Sequence, residues 1–170
     1  MRVTLTQNKV ALIDDSHAYI SHKNWHAIRS TKNPKYTWYA ARRVYRKGTK
    51  SYMIYMHIEI MEHILNRPLK KDEEVDHKNN DGLDNRSENL RIATHSQNLY
   101  NQRIRSTKKT SQYKGVCWDK ERNKWSAQIN MNKKQIHIGR FESERDAAIA
   151  YDTLLKTIAG TFARLNFPED

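Results

Sequence analysis

Two short segments with strand-like patterning, Val75-Asp76-His77 and Asn89-Leu90-Arg91-Ile92, flank the run Lys78-Asn79-Asn80-Asp81-Gly82-Leu83-Asp84-Asn85. That run is dense in residues that favour turns. The order constrains this part of the chain to strand, long polar loop, strand and then helix, with the helix opening near Ser96 and carrying Asn98. A strand ending in Asp-His leaves two chemically active side chains at the lip of a loop, and the following helix can bring Asn98 alongside. A carboxylate and an amide oxygen together suit one hard divalent cation with open positions, as Mg²⁺ requires. An imidazole with an ordinary pKa of about 6.5 suits proton abstraction from water near neutral pH. Asp76 and His77 are strand neighbours, so their side chains leave on opposite sides. A kink, a bulge at the strand end, or a geometry spanning the reacting group would reconcile them.

Charge narrows the class of partner. The chain carries 31 Lys and Arg against 19 Asp and Glu, a net +12, which points to a polyanion. The distribution is uneven. Residues 1–56 hold a net +9, residues 57–100 a net −3, residues 101–140 a net +9 and residues 141–170 a net −3. An acidic centre between basic flanks suits a metal site held against phosphates. No apolar run approaches the roughly 18 residues of a membrane span, and Met1-Arg2-Val3-Thr4-Leu5 lacks the apolar stretch of a signal peptide. Nucleic acid is therefore favoured over a membrane surface. The single cysteine, Cys117, excludes an internal disulfide or a Cys-x-x-Cys zinc site and reads as a strand residue in a cytosolic protein. With 37% hydrophobic residues in 170, several small modules are expected rather than one large core.

Periodicity supplies the remaining elements. Val3, Leu5, Val10 and Leu12 alternate with polar neighbours around a turn at Gln7-Asn8-Lys9, a hairpin that Asp14-Asp15-Ser16 ends. Residues 36–56 are rich in Tyr, Trp and Val and broken at Gly48, so two strands with a basic turn are expected there. From Met56 to Leu65 the period becomes helical, with Ile60, Met61, Ile64 and Leu65 on the apolar face and Pro68 beyond the stop. Residues 102–112 read as a basic linker. Three short strands follow over 113–141. Val116 lies in the first, Trp125, Ala127 and Ile129 share a face of the second, Ile136 and Ile138 share a face of the third, and Asn132-Lys133 turns between the last two. Ser143 opens a final helix with an apolar stripe of Ala147, Ala150, Tyr151, Leu154, Leu155 and Ile158, capped by Gly160.

The central constellation resembles the HNH endonucleases of the phage and intron-encoded homing type, in which the third motif position is Asn. The match covers about residues 56–101. The resemblance implies a ββα-metal fold in which His77 is the general base, Asp76 and Asn98 are the metal ligands, and Asn89 braces the loop through hydrogen bonds. A second resemblance lies in Tyr113-Lys114-Gly115-Val116, Lys124-Trp125, Ile138-Gly139-Arg140-Phe141, Ala147-Ala148-x-Ala150-Tyr151-Asp152 and Asn166-Phe167, which are similar to an AP2 DNA-binding domain over 111–168. That family reads the major groove with the exposed face of a three-stranded sheet backed by one helix. Carried over, the reading positions are Lys114, Gln128, Asn130, Gln135, His137 and Arg140. Period-2 alternation independently sets Gln128, Asn130, Gln135 and His137 opposite the apolar face. Plant members carry several Arg where this chain has Gln, Asn or His, so target sequence does not carry over.

The whole reads as an α+β protein: a β-rich N-terminal arm (1–55), an HNH module (56–101), a basic linker (102–112) and an AP2-like module (113–168). Backbone phosphate contact is expected from Arg42, Arg43, Arg46, Lys47 and Lys50 in the arm and from Arg103, Arg105, Lys108 and Lys109 in the linker. It remains open whether residues 1–55 form a domain or extend the HNH module. His57 reads as a packing or capping residue, His95 as a secondary ligand candidate, and His22 and His26 as ordinary surface or core histidines. The resemblance implies cleavage of double-stranded DNA, simplest as nicking by one centre. It further implies a monomer without a protein partner, one divalent ion (Mg²⁺ or Mn²⁺, not zinc), and phage-encoded action in the bacterial cytoplasm. A sequence-specific DNA-binding regulator with a silent nuclease fold is the main rival, and a structured-RNA binder is a third reading.

Overall fold

The computed structural model describes residues 1–29, 37–45, 48–102, 110–131 and 134–168. The Asn132-Lys133 turn, Arg46, Lys47 and the linker residues Arg103, Arg105, Lys108 and Lys109 lie outside the described residues. The fold is α+β, and the chain divides into two compact units, Met1–Thr94 and His95–Asp170. No described helix is long and apolar enough to cross a membrane.

The first unit opens with β1 (Arg2–Thr4) and β2 (Val10–Leu12), an antiparallel hairpin whose turn places Gln7 and Asn8 at φ of 59° and 54°. Beyond β2 the chain forms a 3-10 helix over Asp15–Ile20, which the sequence reading leaves unassigned. Next come β3 (His26–Arg29), β4 (Trp38–Val44) and β5 (Tyr52–Tyr55), an antiparallel sheet with β4 in the middle. The two later strands are those expected either side of Gly48. β3 is an addition, because His-Ala-Ile-Arg is too short and mixed to announce a strand.

Helix α1 (Met56–Leu65) follows β5 without a loop and stops at Asn66, whose φ of 50° ends the helical path before Pro68. Ile60 and Met61 are buried as the stripe requires, but Ile64 is 45% exposed. Leu65 of the same turn packs on the core, so helical period alone places its neighbour Ile64 inside wrongly. β6 (Glu74–His77) and β7 (Leu90–Ala93) close the unit as an antiparallel pair. One apolar cluster joins Val3, Ile13, Trp25 and Ala40 from the N-terminal strands and loops to Ile60 of α1, Val75 of β6 and Leu90 of β7. The N-terminal segment therefore shares its interior with the strand-loop-strand motif.

The second unit begins with α2 (His95–Asn101), continues through β8 (Val116–Asp119), β9 (Lys124–Met131) and β10 (Lys134–Phe141), and ends on α3 (Glu144–Ala159). The sheet is antiparallel with β9 central. Ser143 caps α3 by accepting from the amides of Arg145 and Asp146. Ala147, Tyr151 and Leu155 are buried on the expected stripe, and Trp125 is half-buried beside Val116 and Ala127. Tyr100 of α2 packs with Ile129, Tyr151 and Leu155. Gly115 adopts φ +77°, and a Cβ there would lie 2.0 Å from the Tyr151 ring, so no larger residue fits without displacing the core.

The C-terminal segment is latched by a buried carboxylate. Asp152 Oδ1 accepts from Asn166 N (3.0 Å) and Nδ2 (2.9 Å), and its Oδ2 accepts from Phe167 N (2.9 Å). Asn166 also accepts from Lys114 N (2.6 Å) and donates to Lys114 O (3.1 Å). These bonds give a structural reason for Asp152 and Asn166-Phe167 standing together in the resemblance.

Candidate active site

The β6–β7 register runs unbroken from Glu74↔Ala93 to His77↔Leu90, so no bulge redirects Asp76 or His77 within the strand. Alternation sends the two side chains to opposite sides, and each side is lined by different groups. Asp76 faces its cross-strand partner Arg91, whose Nε and Nη2 both donate to Oδ2 at 2.8 Å. His77 is 6% exposed and lies among aromatic rings from α1 and β4. Its ring centroid is 5.0 Å from that of His57 and 5.9 Å from that of Tyr39, while Tyr39 and Tyr55 both flank His57.

The orientation of the His77 ring has a readable cause. Asn85 is fully buried and its Nδ2 donates to Leu83 O at 3.1 Å, which turns Oδ1 toward His77 Nε2 at 3.3 Å. A carbonyl oxygen can only accept, so this contact favours the tautomer with the proton on Nε2 and the lone pair on Nδ1. Burial pushes the His77 pKa below its ordinary value, against the Asn85 hydrogen bond and the charges of Asp76, Asp81 and Asp84. The imidazole is therefore neutral near pH 7, the state a base requires. His57 is depressed further, by complete burial and by the neighbouring His77. It packs against His77 and gives no side-chain cap to α1.

The polar loop satisfies its own turns. Asn89 lies across it, with Oδ1 accepting from Asn79 N (3.0 Å) and Nδ2 donating to Asp84 O (2.7 Å). Asn79 and Asp81 each accept from the amide two residues on, the pattern of Asx turns. Asp84 is gripped by Arg86 through two bonds of 2.8 Å and by Asn79 Nδ2 at 2.9 Å. These partners, Arg86 first, hold its carboxyl below the usual range. The hairpin strand β2 anchors the same loop: Leu12 N donates to Leu83 O and Asn85 N to Leu12 O, both at 2.8 Å. Gly82 lies so close to β4 that a Cβ would sit 2.4 Å from Trp38 O and 2.6 Å from the Tyr39 ring.

Asp76 belongs to the first unit and Asn98, half-buried on α2, to the second. Both candidate ligands offer oxygen, the donor type of hard cations. Among the described residues no three or more His, Cys, Asp or Glu side chains form a metal-holding group. His95 is exposed at the start of α2.

On the second unit's sheet, the register shifts between His137 and Gly139. The pairs Gln135↔Asn130, His137↔Gln128 and Arg140↔Ser126 then share one face. Without this bulge, Arg140, three positions from His137, would alternate to the opposite face. Arg140 Nε donates to Asp119 Oδ2 (2.8 Å) and Nη1 to His137 Nε2 (3.2 Å), while His137 Nδ1 stands 3.3 Å from Ser126 Oγ. The remaining carried-over residue, Lys114, is tied elsewhere: its ammonium donates to Leu99 O and Tyr100 O near the end of α2. In the first unit Arg42 donates to Glu59 and lies 5.5 Å over Trp25, whereas Arg43 and Lys50 are exposed.

Sequence reasoning therefore misses Asn85, Arg91, Tyr39 and the direct contact of His57 with His77. Arg91 is signalled by its place opposite Asp76 once the strand pairing is drawn. Asn85 has no such signal, because loop asparagines are common and only the folded loop brings one to His77.

Comparison with known proteins matches two segments of the chain. A family model described as HNH endonuclease matches residues 55–100, and one described as AP2 domain matches residues 111–160. An uncharacterized HNH endonuclease of Acanthamoeba polyphaga mimivirus is 29% identical over 149 residues, spanning 88% of this chain and 74% of the relative. Protein 3.8 of Escherichia phage T7 is 31% identical over 108 residues, spanning 64% of this chain and 87% of the relative. An ethylene-responsive transcription factor of Arabidopsis thaliana is 41% identical over 58 residues, 33% of this chain and 32% of the factor.

Proposed function

This chain belongs to the HNH endonuclease family and carries an AP2 domain, and on that premise we propose that it is a metal-dependent DNA endonuclease whose cutting site is selected by the AP2 sheet. The observation that carries the reading is the buried His77, its ring oriented by Asn85 at the end of the strand that also bears Asp76. His77 Nδ1 takes the proton of the attacking water. Asn85 and the packed rings of His57 and Tyr39 hold the imidazole still while it does so. Arg91 fixes Asp76 through Oδ2. Asp76 and Asn98 are the residues that would hold one divalent ion, Mg²⁺ or Mn²⁺ by the oxygen character of both donors. Bound there, the ion supplies Lewis-acid stabilisation of the departing oxyanion.

The AP2 face contributes Gln128, Asn130, Gln135, His137 and Arg140 to base contact, with Arg140 pre-set by Asp119. One centre per chain makes nicking by a monomer the simplest product. The viral relatives support a phage-encoded protein of the homing type working in the cytoplasm of its bacterial host.

The test is conversion of a supercoiled plasmid carrying DNA from the gene's own flanks, with Mg²⁺, with EDTA, and with His77→Ala. Metal-dependent open circle, reduced roughly 10²–10⁴-fold by His77→Ala with binding retained, is expected. Clear binding to those flanks with no conversion by the unsubstituted chain would instead support a regulator with a silent nuclease fold. The likeness of the AP2 segment to a transcription factor makes that the natural second reading.

A further inference from the structure

The β4–β5 hairpin carries more than the two tyrosines that reach the His77 cluster. Tyr39 and Tyr55 lie on one face of these strands, because Ala41 pairs with Tyr55 and Tyr39 is two residues before Ala41. That face packs on His57 and, through Tyr39, on His77. The next cross-strand pair on the same face is Arg43↔Met53, and both residues are exposed. Two residues further, just beyond the end of β4, stands Tyr45, the most exposed large hydrophobic residue described, at 76%. The opposite face does different work: Arg42 is paired with Glu59 and Ile54 packs on the core.

A solvent-facing row of one cation, a thioether and a phenol, continuous with the rings around the candidate base, has no part in the hydrophobic core. Its surroundings are basic, with Lys50 exposed on the same hairpin and residues 1–56 at net +9. We propose that this distal face is a substrate platform that grips duplex DNA to one side of the scissile phosphate. Arg43 meets the phosphate backbone, and Tyr45 and Met53 press on sugars and a partly opened base step.

The occupant, DNA extending from the cleavage point, rests on the nuclease reading above. Strand geometry sets the reach. At about 3.3 Å per residue Arg43 lies about 13 Å from Tyr39 and Tyr45 about 20 Å, and at about 3.4 Å per base pair these are roughly four and six steps along a duplex.

The experiment is fluorescence anisotropy of the full-length chain on a mixed-sequence 30-base-pair duplex (about three helical turns) in EDTA, over a series of salt concentrations. Tyr45→Ala should weaken binding roughly tenfold, Met53→Ala less, and Tyr45→Phe should stay within about twofold because it keeps the ring. Arg43→Ala should lower the log–log salt slope by about 0.9. All three positions are solvent-facing, so melting temperatures should match the parent. Parent-like behaviour of either Tyr45→Ala or Arg43→Ala overturns the platform, and so does a Tyr45→Phe loss as large as that of Tyr45→Ala. No cutting occurs in EDTA, so the result is independent of the nuclease reading. A chain that binds as expected here yet never converts plasmid with Mg²⁺ refutes that reading alone.

Discussion

Replacing Asn85 by Ala removes the side-chain hydrogen bond to His77 without altering the proposed base itself. Asn85 is fully buried, donates to Leu83 O and accepts from His77 Nε2. Truncation removes the acceptor facing buried His77 Nε2, while Leu83 O keeps its bond from Leu12 N. Losing a buried hydrogen-bond partner costs about 1–3 kcal/mol, and since Leu83 O stays bonded this is the loss expected. Domain stability is about 5–15 kcal/mol, so the variant should fold but melt lower.

The catalytic loss has a separate origin. General-base catalysis is worth about 10²–10⁴ in rate, and a base with a free ring and a mixed tautomer forfeits only part of it. A fall of about 10–100-fold is expected, or about 1.4–2.8 kcal/mol at 1.4 kcal/mol per decade. The assay is single-turnover plasmid conversion at saturating protein, below the melting transition, alongside DNA binding in EDTA. Binding should be unchanged. Asn85→Asp keeps an acceptor opposite Nε2–H but sets a carboxylate oxygen against Leu83 O. It should retain more rate than Asn85→Ala while still losing stability. A folded Asn85→Ala protein cutting within twofold of the parent would refute the assignment of Asn85 as a positioning residue.

Gly115→Ala combines a left-handed backbone with a Cβ 2.0 Å from the Tyr151 ring, and should destabilise the second unit by about 2–5 kcal/mol, read as a fall of 10 °C or more in its melting temperature. A shift under about 2 °C would mean that the ring has room to move. Acid should weaken the first unit through Asp84, whose carboxyl is held low mainly by Arg86. A depressed folded pKa contributes stability that is present above the unfolded value of about 3.9 and is lost as pH falls through the folded one. The gap in urea midpoint between the parent and Arg86→Ala should therefore be constant above about pH 5 and narrow below about pH 4, on top of the fall below about pH 6.5 that the buried His57 and His77 bring to both. On the AP2 face, Arg140→Ala should weaken binding at the target roughly tenfold and relax base preference at one position, and Asp119→Asn should do so less. Gel shifts against mixed-sequence competitor would show an unchanged preference if Arg140 is not a reader.

Local pattern made much of this protein legible before any coordinates. The β1–β2 hairpin, the two strands around Gly48, α1, the β6–loop–β7 motif and the three strands and helix of the second unit all follow from period, turn chemistry and caps. These signals act within a few residues of themselves, so they survive without knowledge of the fold. His77 is legible as an imidazole at the lip of a polar loop, and Asn89 through the resemblance to the HNH motif; in the fold the Asn89 side chain bonds Asn79 N and Asp84 O of that loop.

What the sequence could not determine are the meetings of residues far apart or chemically commonplace. Asp152 reaches the Asn166–Phe167 latch across 14 residues, and Leu12 binds Asn85 and Leu83 from the N-terminal hairpin. The bulge at Ile138 returns Arg140 to the polar face, a choice that strict alternation would have reversed. Lys114 reads from the resemblance as a DNA-reading position and Arg42 from charge as a phosphate contact, yet one ties the end of α2 and the other pairs with Glu59. A lysine or an asparagine carries the same donors wherever it stands, and only packing selects which buried partner it must satisfy. That selection by tertiary structure sets Asn85 on His77 and Arg91 on Asp76, and with them the chemistry of the site.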